Sequence, residues 1–149
     1  GSGKSTVGRA VAKALGRTFY DADAAIEERA GRSIPEIFAE EGEAAFRALE
    51  HQVLSDLGRR NGVVIATGGG AVCFDRNLPP LWENGRVYCL QRPVDTLPTA
   101  GRPLSTSRQR LVEMERERAP FYRRAAQVVV DNSGPLKRTV AVILEDFGR

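Results

Sequence analysis

Short β-rich runs alternate along the chain with longer segments of helical periodicity. Runs of β-branched and apolar residues predict strands at 18–20, 63–67, 86–90 and 127–130. Segments in which apolar residues recur every three or four positions predict helices at 5–15, 24–30, 34–40, 43–57, 107–124 and 136–147. Because helices between successive strands require crossover connections, the pattern predicts an α/β fold with a parallel sheet.

The predicted helices carry chemical signals at their ends. Ser33 followed three residues later by Glu36, with an early proline between them, is typical of a capping box at a helix start. Gly16 and Gly31 come directly after predicted helices and favour termination there. The Asn-Gly pair at 61–62 predicts a turn before the second strand.

The length and composition indicate one folded domain over residues 1–149. The chain has 149 residues, of which 42% are hydrophobic and 28% charged, enough to build a single core. It contains neither an apolar stretch of the roughly 18 to 20 residues that span a bilayer nor an opening secretory leader. Cys73 and Cys89 lack metal-ligand or redox-motif spacing and are typical of core thiols in a reducing compartment. We therefore expect a cytoplasmic protein without a membrane partner.

Positive charge is concentrated late in the chain. Lysine and arginine total 22 against 19 acidic residues, and residues 102–124 alone hold seven arginines and three glutamates. Such a segment predicts that an anion is handled there. The alternative is a nucleic-acid-binding surface. However, the only aromatic residues of this segment, Phe121 and Tyr122, are adjacent to each other and not interleaved with the basic residues. We expect no nucleic-acid partner.

The strongest motif stands at the start of the sequence. It is the latter part of the phosphate-binding pattern G-x-x-x-x-G-K-[ST] and comprises Gly1, Ser2, Gly3, Lys4, Ser5 and Thr6. In such a loop, backbone N–H groups at a helix N-terminus bind phosphate oxygens, Lys4 reaches the β- and γ-phosphates, and the Ser5 hydroxyl ligates Mg²⁺. We expect the first glycine of the motif and a preceding strand upstream of Gly1.

The remainder of the sequence disfavours several classes of P-loop protein. The sequence lacks the N-K-x-D motif that reads guanine, the L-S-G-G-Q motif of transport ATPases and an Asp-Glu pair after an apolar strand. A compact chain with an arginine-rich segment late on favours a phosphotransferase similar to the nucleoside monophosphate kinases. In that class the late segment, here around 98–110, is a lid that closes over the nucleotide.

Two carboxylates after the first predicted strand are candidates for metal and acceptor binding. If the strand persisted through Asp21 and Asp23, alternation would direct both side chains to the same face. One would then serve the Mg²⁺ shell and the other an acceptor hydroxyl. The alternative is that Asp23 only caps the helix predicted from Ala24.

Arg47 and a glycine run are further candidates for acceptor binding. Arg47 lies between Glu43 and Glu50 at spacings that also produce an ordinary surface triad of charges. Residues 67–70, Thr-Gly-Gly-Gly, come directly after an apolar strand, where open α/β sheets bind ligands and where glycines permit close approach to the backbone. A bare tight turn is the alternative interpretation of that run.

Arg102 and Arg118 stand out among the seven arginines. Arg102 lies in Gly-Arg-Pro-Leu and Arg118 in Arg-Ala-Pro-Phe-Tyr. The planar guanidinium fork suits a carboxylate or a phosphate. Solvent exposure without a ligand is the alternative for any single one of them.

Taken together, these segments resemble the shikimate kinase family from Gly1 to roughly Asp131. Six motifs occur in family order and at familiar spacings: G-S-G-K-S-T, F-Y-D-A-D, I-F-A-E-E-G-E-A-A-F-R-A-L-E, A-T-G-G-G-A-V, G-R-P-L and R-A-P-F-Y-R-R-A-A. The resemblance implies a three-layer P-loop kinase with a five-stranded parallel sheet of order 2-3-1-4-5, whose central first strand would precede Gly1. It also implies transfer of the γ-phosphoryl group of ATP to the 3-hydroxyl of shikimate.

The resemblance also implies a role for each candidate residue. Lys4 and Ser5 keep their phosphate and Mg²⁺ roles. Asp21 resembles the carboxylate of the Mg²⁺ shell, and Asp23 the one that binds the acceptor hydroxyls and takes the proton. Arg47 and Arg118 resemble the pair that binds the shikimate carboxylate. Gly69 and Gly70 resemble the glycines that approach its hydroxyl side. Arg102 resembles the lid arginine that contacts the transferring phosphoryl group.

Two other functions stay open at this level. A gluconate kinase has a similar fold and also phosphorylates a carboxylated polyol. The other alternative is a regulatory P-loop module that has no catalytic activity. We expect ATP, Mg²⁺ and shikimate as the ligands and a monomer as the assembly.

Overall fold

The computed structural model describes residues 3–91 and 106–148. The described residues up to Arg86 form one compact unit, and those from Val87 form another. In chain order the elements are α1 (Gly3–Leu15), β1 (Thr18–Asp21), α2 (Ala22–Ala30), α3 (Ile34–Gly58), β2 (Val63–Ala66), α4 (Leu78–Trp82), β3 (Tyr88–Gln91), α5 (Thr106–Ala125), β4 (Val128–Asp131) and α6 (Leu136–Phe147).

The first unit is built on a parallel pair of strands. β1 and β2 pair in register from Thr18 opposite Val63 to Asp21 opposite Ala66. Helix α1 packs on both strands, and a Cβ at Gly8 would lie 2.7 Å from the Phe19 ring, so only glycine permits this close packing. Both strands therefore end at one edge, which carries Asp21 and the glycine run after Ala66.

The apolar face of α3 supplies much of the core of this unit. Phe46, Val53, Leu54 and Leu57 are buried, as the helical periodicity predicts, whereas Leu49 is half-buried. Burial of side chains of this size contributes roughly 1.5–3 kcal/mol each. The helix is therefore held rigidly against the unit, with the residues beside its apolar stripe in fixed positions.

The second unit contains the other parallel pair. β3 and β4 pair from Tyr88 opposite Val128 to Gln91 opposite Asp131. Helix α5 packs on β3 and α6 on β4. The Tyr88 hydroxyl donates a hydrogen bond to Asp146 Oδ2 at 2.6 Å, which joins β3 to α6.

The α/β class and the parallel pairing predicted from the sequence are confirmed, and most elements lie within two residues of their predicted bounds. Ser33 caps α3 by accepting from the Glu36 N–H, and Gly31 ends α2 with φ +69. The helices predicted at 34–40 and 43–57 form one run with a break at Gly42, where φ is +87 and ψ is 172. The sequence pattern does not predict helix α4. Within the part of the chain that the structure describes, no helix has the length and apolar character needed to cross a membrane.

Candidate active site

Helix α1 begins beside the acidic end of β1. The Ser5 hydroxyl donates a hydrogen bond to Asp21 Oδ2 at 2.9 Å. The other oxygen of the same carboxylate accepts from the Ala24 N–H at 3.2 Å and caps α2. A hydroxyl and a carboxylate oxygen thus converge directly next to the first turn of α1.

The alternative in which Asp23 caps the second helix is wrong. Asp21 is the cap, and because its carboxylate satisfies an N–H of the first turn, α2 begins at Ala22 rather than at Ala24. Asp23 therefore lies in that first helical turn and not on a continuing strand. The assumed strand alternation of the two carboxylates does not hold.

Asp23 lies in a dense group of charges. Its side chain is partly buried, and this burial is the main reason why its pKa is raised above 3.8. The negative charges of Asp21 and Glu27 raise the pKa of Asp23 further, while the positive charges of Arg47 and Lys4 oppose the shift. The structure therefore brings the predicted residues Lys4, Asp21, Asp23 and Arg47 within electrostatic reach of one another.

Arg47 is a largely buried cation and not part of a surface triad. Its side chain is 13% exposed, and its Nη1 donates to Glu50 Oε1 at 2.9 Å. Glu50 is 2% exposed; burial raises the pKa of its carboxyl, and the bond to Arg47 opposes that shift. Glu43 lies on the exposed side, with Oε1 3.6 Å from Arg47 Nε. The spacing correctly predicted the two ion pairs, but the surface interpretation fails because α3 turns this face inward.

The Arg47 guanidinium also lies over two aromatic rings. Its Cζ lies 5.1 Å from the ring centroid of Phe46 and 4.7 Å from that of Phe74. Both distances are within the range of cation–π attraction. The Nε atom is buried and has no hydrogen-bond acceptor among the described residues. A fixed, buried guanidinium with an unused donor is suited to bind a ligand carboxylate.

The glycine run after β2 lies against both charged groups. A Cβ at Gly68 would lie 2.6 Å from Asp23 Oδ1, and one at Gly70 would lie 2.7 Å from Arg47 Nη2. The run is thus more than a tight turn, because side chains there would displace Asp23 and Arg47. Gly69, which lies between Gly68 and Gly70 in the sequence, is half-buried.

The other predicted site residues lie on α1, on α5 or outside the described residues. Thr6 is exposed on the first turns of α1. Arg118 is half-buried on α5, in the second unit. Gly1, Ser2, Arg102 and the predicted lid up to residue 105 lie outside the described residues, whereas residues 106–110 are the start of α5.

Four residues near this group are missed or interpreted otherwise from the sequence. The spacing assigns Glu50 to a surface triad, and the helical pattern places His51 on a polar face. Phe74 and Asn77 have no signal of their own, although Asn77 is 1% exposed and accepts or donates hydrogen bonds with both amide atoms. Helical spacing could have indicated Glu50, but no local pattern indicates the contact between His51 and Asn77, which lie 26 residues apart, or the bond from Asn77 to the Ala71 carbonyl.

Comparison with known proteins identifies the family of this chain. The family model described as shikimate kinase matches residues 1–147. The chain belongs to the shikimate kinase family. It is 49% identical to a shikimate kinase of Halorhodospira halophila, over 95% of this chain and 84% of that protein. It is 46% identical to a shikimate kinase of Burkholderia lata, over 91% of this chain and 78% of the relative.

Solved structures of shikimate kinases have the same fold. The enzyme from Acinetobacter baumannii, in complex with shikimate, matches with a TM-score of 0.85 and 38% identity over 97% of this chain and 86% of that one. The Bacteroides thetaiotaomicron enzyme matches with a TM-score of 0.87 and 30% identity, over all of this chain and 94% of that one. As a member of the shikimate kinase family, the protein is an ATP-dependent kinase, and the resemblance inferred from the motifs is confirmed.

Proposed function

We propose that this kinase transfers the γ-phosphoryl group of ATP to the 3-hydroxyl of shikimate, giving shikimate 3-phosphate for aromatic amino-acid biosynthesis. The observation that carries the proposal is the buried Arg47, whose Nε has no acceptor among the described residues, beside the partly buried carboxylate of Asp23. A guanidinium binds a carboxylate and a carboxylate binds hydroxyls. Shikimate presents both groups, and the matched Acinetobacter baumannii kinase holds shikimate.

The phosphate side of the site rests on the start of α1. Backbone N–H groups of the Gly1–Thr6 motif and the Lys4 ammonium would bind the ATP phosphates. Ser5 Oγ and Asp21 Oδ2, 2.9 Å apart, are hard oxygen donors of the kind Mg²⁺ takes alongside phosphate oxygens and water. Bound Mg²⁺ would neutralise phosphate charge. Arg102 would add positive charge at the transferring phosphoryl group.

The acceptor side rests on α2, α3 and the glycine run. Asp23 would orient the reacting hydroxyl and take its proton, and the burial that raises its pKa makes it a better proton acceptor than an exposed aspartate. Arg47 and Arg118 would bind the shikimate carboxylate. Gly69 and Gly70 would leave room for the hydroxyl side of the ring.

We also propose an architecture and a cellular setting for the enzyme. In the sheet order 2-3-1-4-5 the observed strands correspond to the second to fifth, and the two observed pairings are the 2-3 and 4-5 neighbours that this order requires. We infer one domain over residues 1–149, with a short lid around 98–110, since a single family model spans residues 1–147. We further propose a cytoplasmic monomer that binds no nucleic acid.

Steady-state ADP release tests the proposal. The full-length protein is assayed with ATP and Mg²⁺ and with shikimate, gluconate or no acceptor. Turnover only with shikimate supports the proposal, turnover with gluconate indicates a different carboxylated-polyol kinase, and none with either indicates a module without this activity. Lys4→Ala is the companion variant, and turnover close to the parent's would show that the phosphate loop is wrongly assigned.

A further inference from the structure

A buried hydrogen-bond chain connects helix α3 to the glycine run and is not used by the roles assigned above. Asn77 Nδ2 donates to the Ala71 carbonyl at 2.8 Å, and Asn77 Oδ1 lies 3.0 Å from His51 Nδ1. Asn77 is 1% exposed, and its hydrogen bonds span 6 and 26 residues of sequence. We propose that Asn77 is a positioning residue that fixes the 68–71 turn against α3 and thereby sets the acceptor-binding geometry, an inference that rests on the proposed function.

The two bonds determine what chemistry position 77 requires. Because the amide N–H of Asn77 is committed to the Ala71 carbonyl, its oxygen faces His51 and can only accept. His51 must therefore carry a hydrogen on Nδ1. Position 77 needs one donor and one acceptor on a short side chain, a requirement that asparagine meets. Aspartate lacks the donor and would direct a second oxygen at the Ala71 carbonyl.

The turn that Asn77 holds leads directly to the acceptor site. Ala71 comes directly after Gly70, and its N–H donates to the Gly68 carbonyl at 3.2 Å. The Ala71 carbonyl also accepts from the Phe74 N–H at 3.4 Å, and the Phe74 ring lies over Arg47. A shift of Ala71 would therefore move the glycine run and one of the two rings that hold Arg47.

Helix α3 provides the fixed side of this connection. His51 lies four residues after Arg47, one helical turn further along the same helix. The turn approaches α3 at two places. The first is Gly70, where an added Cβ would lie 2.7 Å from Arg47 Nη2. The second is Ala71, which is linked through Asn77 to His51. Two attachments one helical turn apart fix both the distance and the tilt of the turn. The phosphate-binding start of α1 takes no part in either attachment.

The test separates acceptor binding from nucleotide binding. KM for shikimate, KM for ATP and kcat are measured on the full-length parent, Asn77→Asp, His51→Leu and His51→Gln. His51→Leu removes the donor to Asn77, whereas His51→Gln restores an amide donor at the same position. Asn84→Asp is the matched control, because Asn84 also donates to backbone carbonyls, those of Gly58 and Arg60, on the exposed surface.

The expected result is a rise in KM for shikimate of roughly tenfold in Asn77→Asp and His51→Leu, about the effect of one lost hydrogen bond. KM for ATP should stay within about twofold, His51→Gln should return KM for shikimate to near the parent value, and Asn84→Asp should change neither constant. Should Asn77→Asp not fold, the two His51 variants decide alone.

Two results would overturn the inference. One is an unchanged KM for shikimate in His51→Leu. The other is an equal rise in both KM values, which would indicate a general loss of structure. A parent enzyme without shikimate-dependent turnover would instead overturn the proposed function, and the inference with it, so the two failures are distinguishable.

Discussion

The surroundings of Asp23 disfavour the ionised form of its carboxyl group. Burial and the neighbouring charges of Asp21 and Glu27 raise the pKa of Asp23, so its carboxyl group binds a proton more tightly in the folded protein than in the unfolded chain. The stability gained from that protonation is present at acid pH and is lost as the pH rises through the pKa of Asp23 in the folded state. At neutral pH the ionised carboxylate therefore destabilises the fold, although the proton-accepting role proposed for Asp23 requires the ionised form.

We predict opposite effects of Asp23→Asn on stability and activity. At pH 7 the variant should have a higher Tm than the parent, and the difference should shrink as the pH falls and the parent's Asp23 becomes protonated. Its kcat should fall about a hundredfold or more, as expected for the loss of a proton acceptor. Thermal unfolding at several pH values and steady-state kinetics are the measurements. A lower Tm at pH 7 together with full activity would contradict both assignments.

The close approach of Gly70 to Arg47 gives a second test. In Gly70→Ala the added Cβ would lie 2.7 Å from Arg47 Nη2, so the flexible end of the arginine must move. KM for shikimate should rise roughly tenfold, the scale of one disturbed charge-assisted hydrogen bond, while KM for ATP stays unchanged. Gly16→Ala is the control, since no heavy atom lies within 4 Å of its Cβ position and only backbone strain results. Equal kinetics for Gly70→Ala and the parent would show that Arg47 does not depend on this close approach.

Among the secondary-structure elements, the break in α3 sets the direction of the helical segment that carries Arg47 and Glu50. Gly42 has φ +87 and ψ 172, a conformation essentially restricted to glycine. The half of α3 before it begins at the N-cap residue Ser33, and the half after it carries Arg47 and Glu50. A glycine at this position thus sets the direction of the helix that holds the buried ion pair.

We predict that Gly42→Ala loses about 1–3 kcal/mol of unfolding free energy, the usual cost of holding a side chain in such a conformation. Urea denaturation monitored by circular dichroism measures this loss. Ala44→Ser, an exposed position two residues later, serves as the control and should change stability by less than about 0.5 kcal/mol. A Gly42→Ala protein as stable as the control would show that the break does not constrain the helix.

Elements with local chemical signals could be predicted, and those held by distant contacts could not. The cap at Ser33 and the glycine at 31 predicted helix ends correctly, and the pattern separated 34–40 from 43–57 at the observed break. Helix α4 has only five residues, too few for periodicity to show, and a Cβ at Gly58 would lie 2.3 Å from the Pro80 carbonyl oxygen. Its position depends on that packing, which no local pattern contains.

Across the whole molecule, the order of the motifs predicted the family, whereas the spacing of charged residues mispredicted the surroundings of Arg47. Glu43, Arg47 and Glu50 have the same spacing on a buried face as on an exposed one, so only the resemblance to the family favoured a binding role. In the structure Arg47 is largely buried and contacts two aromatic rings, and its Nε has no hydrogen-bond acceptor within the part of the chain that the structure describes. Asn77 carries no motif, and its contacts arise only when the chain folds.

Arg118 provides a further prediction. Because we propose that it binds the shikimate carboxylate, Arg118→Ala should raise KM for shikimate tenfold to a hundredfold and leave KM for ATP nearly unchanged. Arg116→Ala, an exposed position two residues earlier on α5, is the matched control. An equal rise in KM for ATP and KM for shikimate in Arg118→Ala would instead indicate a nucleotide contact or a folding defect.

The most direct test of a carboxylate-binding acceptor site is the affinity for shikimate measured by isothermal titration calorimetry without nucleotide. The parent should bind shikimate, and Arg47→Ala should bind it tenfold to a hundredfold more weakly. Arg59→Ala, in which the replaced side chain is 80% exposed just after the same helix, should bind like the parent. Unchanged affinity in Arg47→Ala, with the parent binding normally, would contradict the assignment of this site.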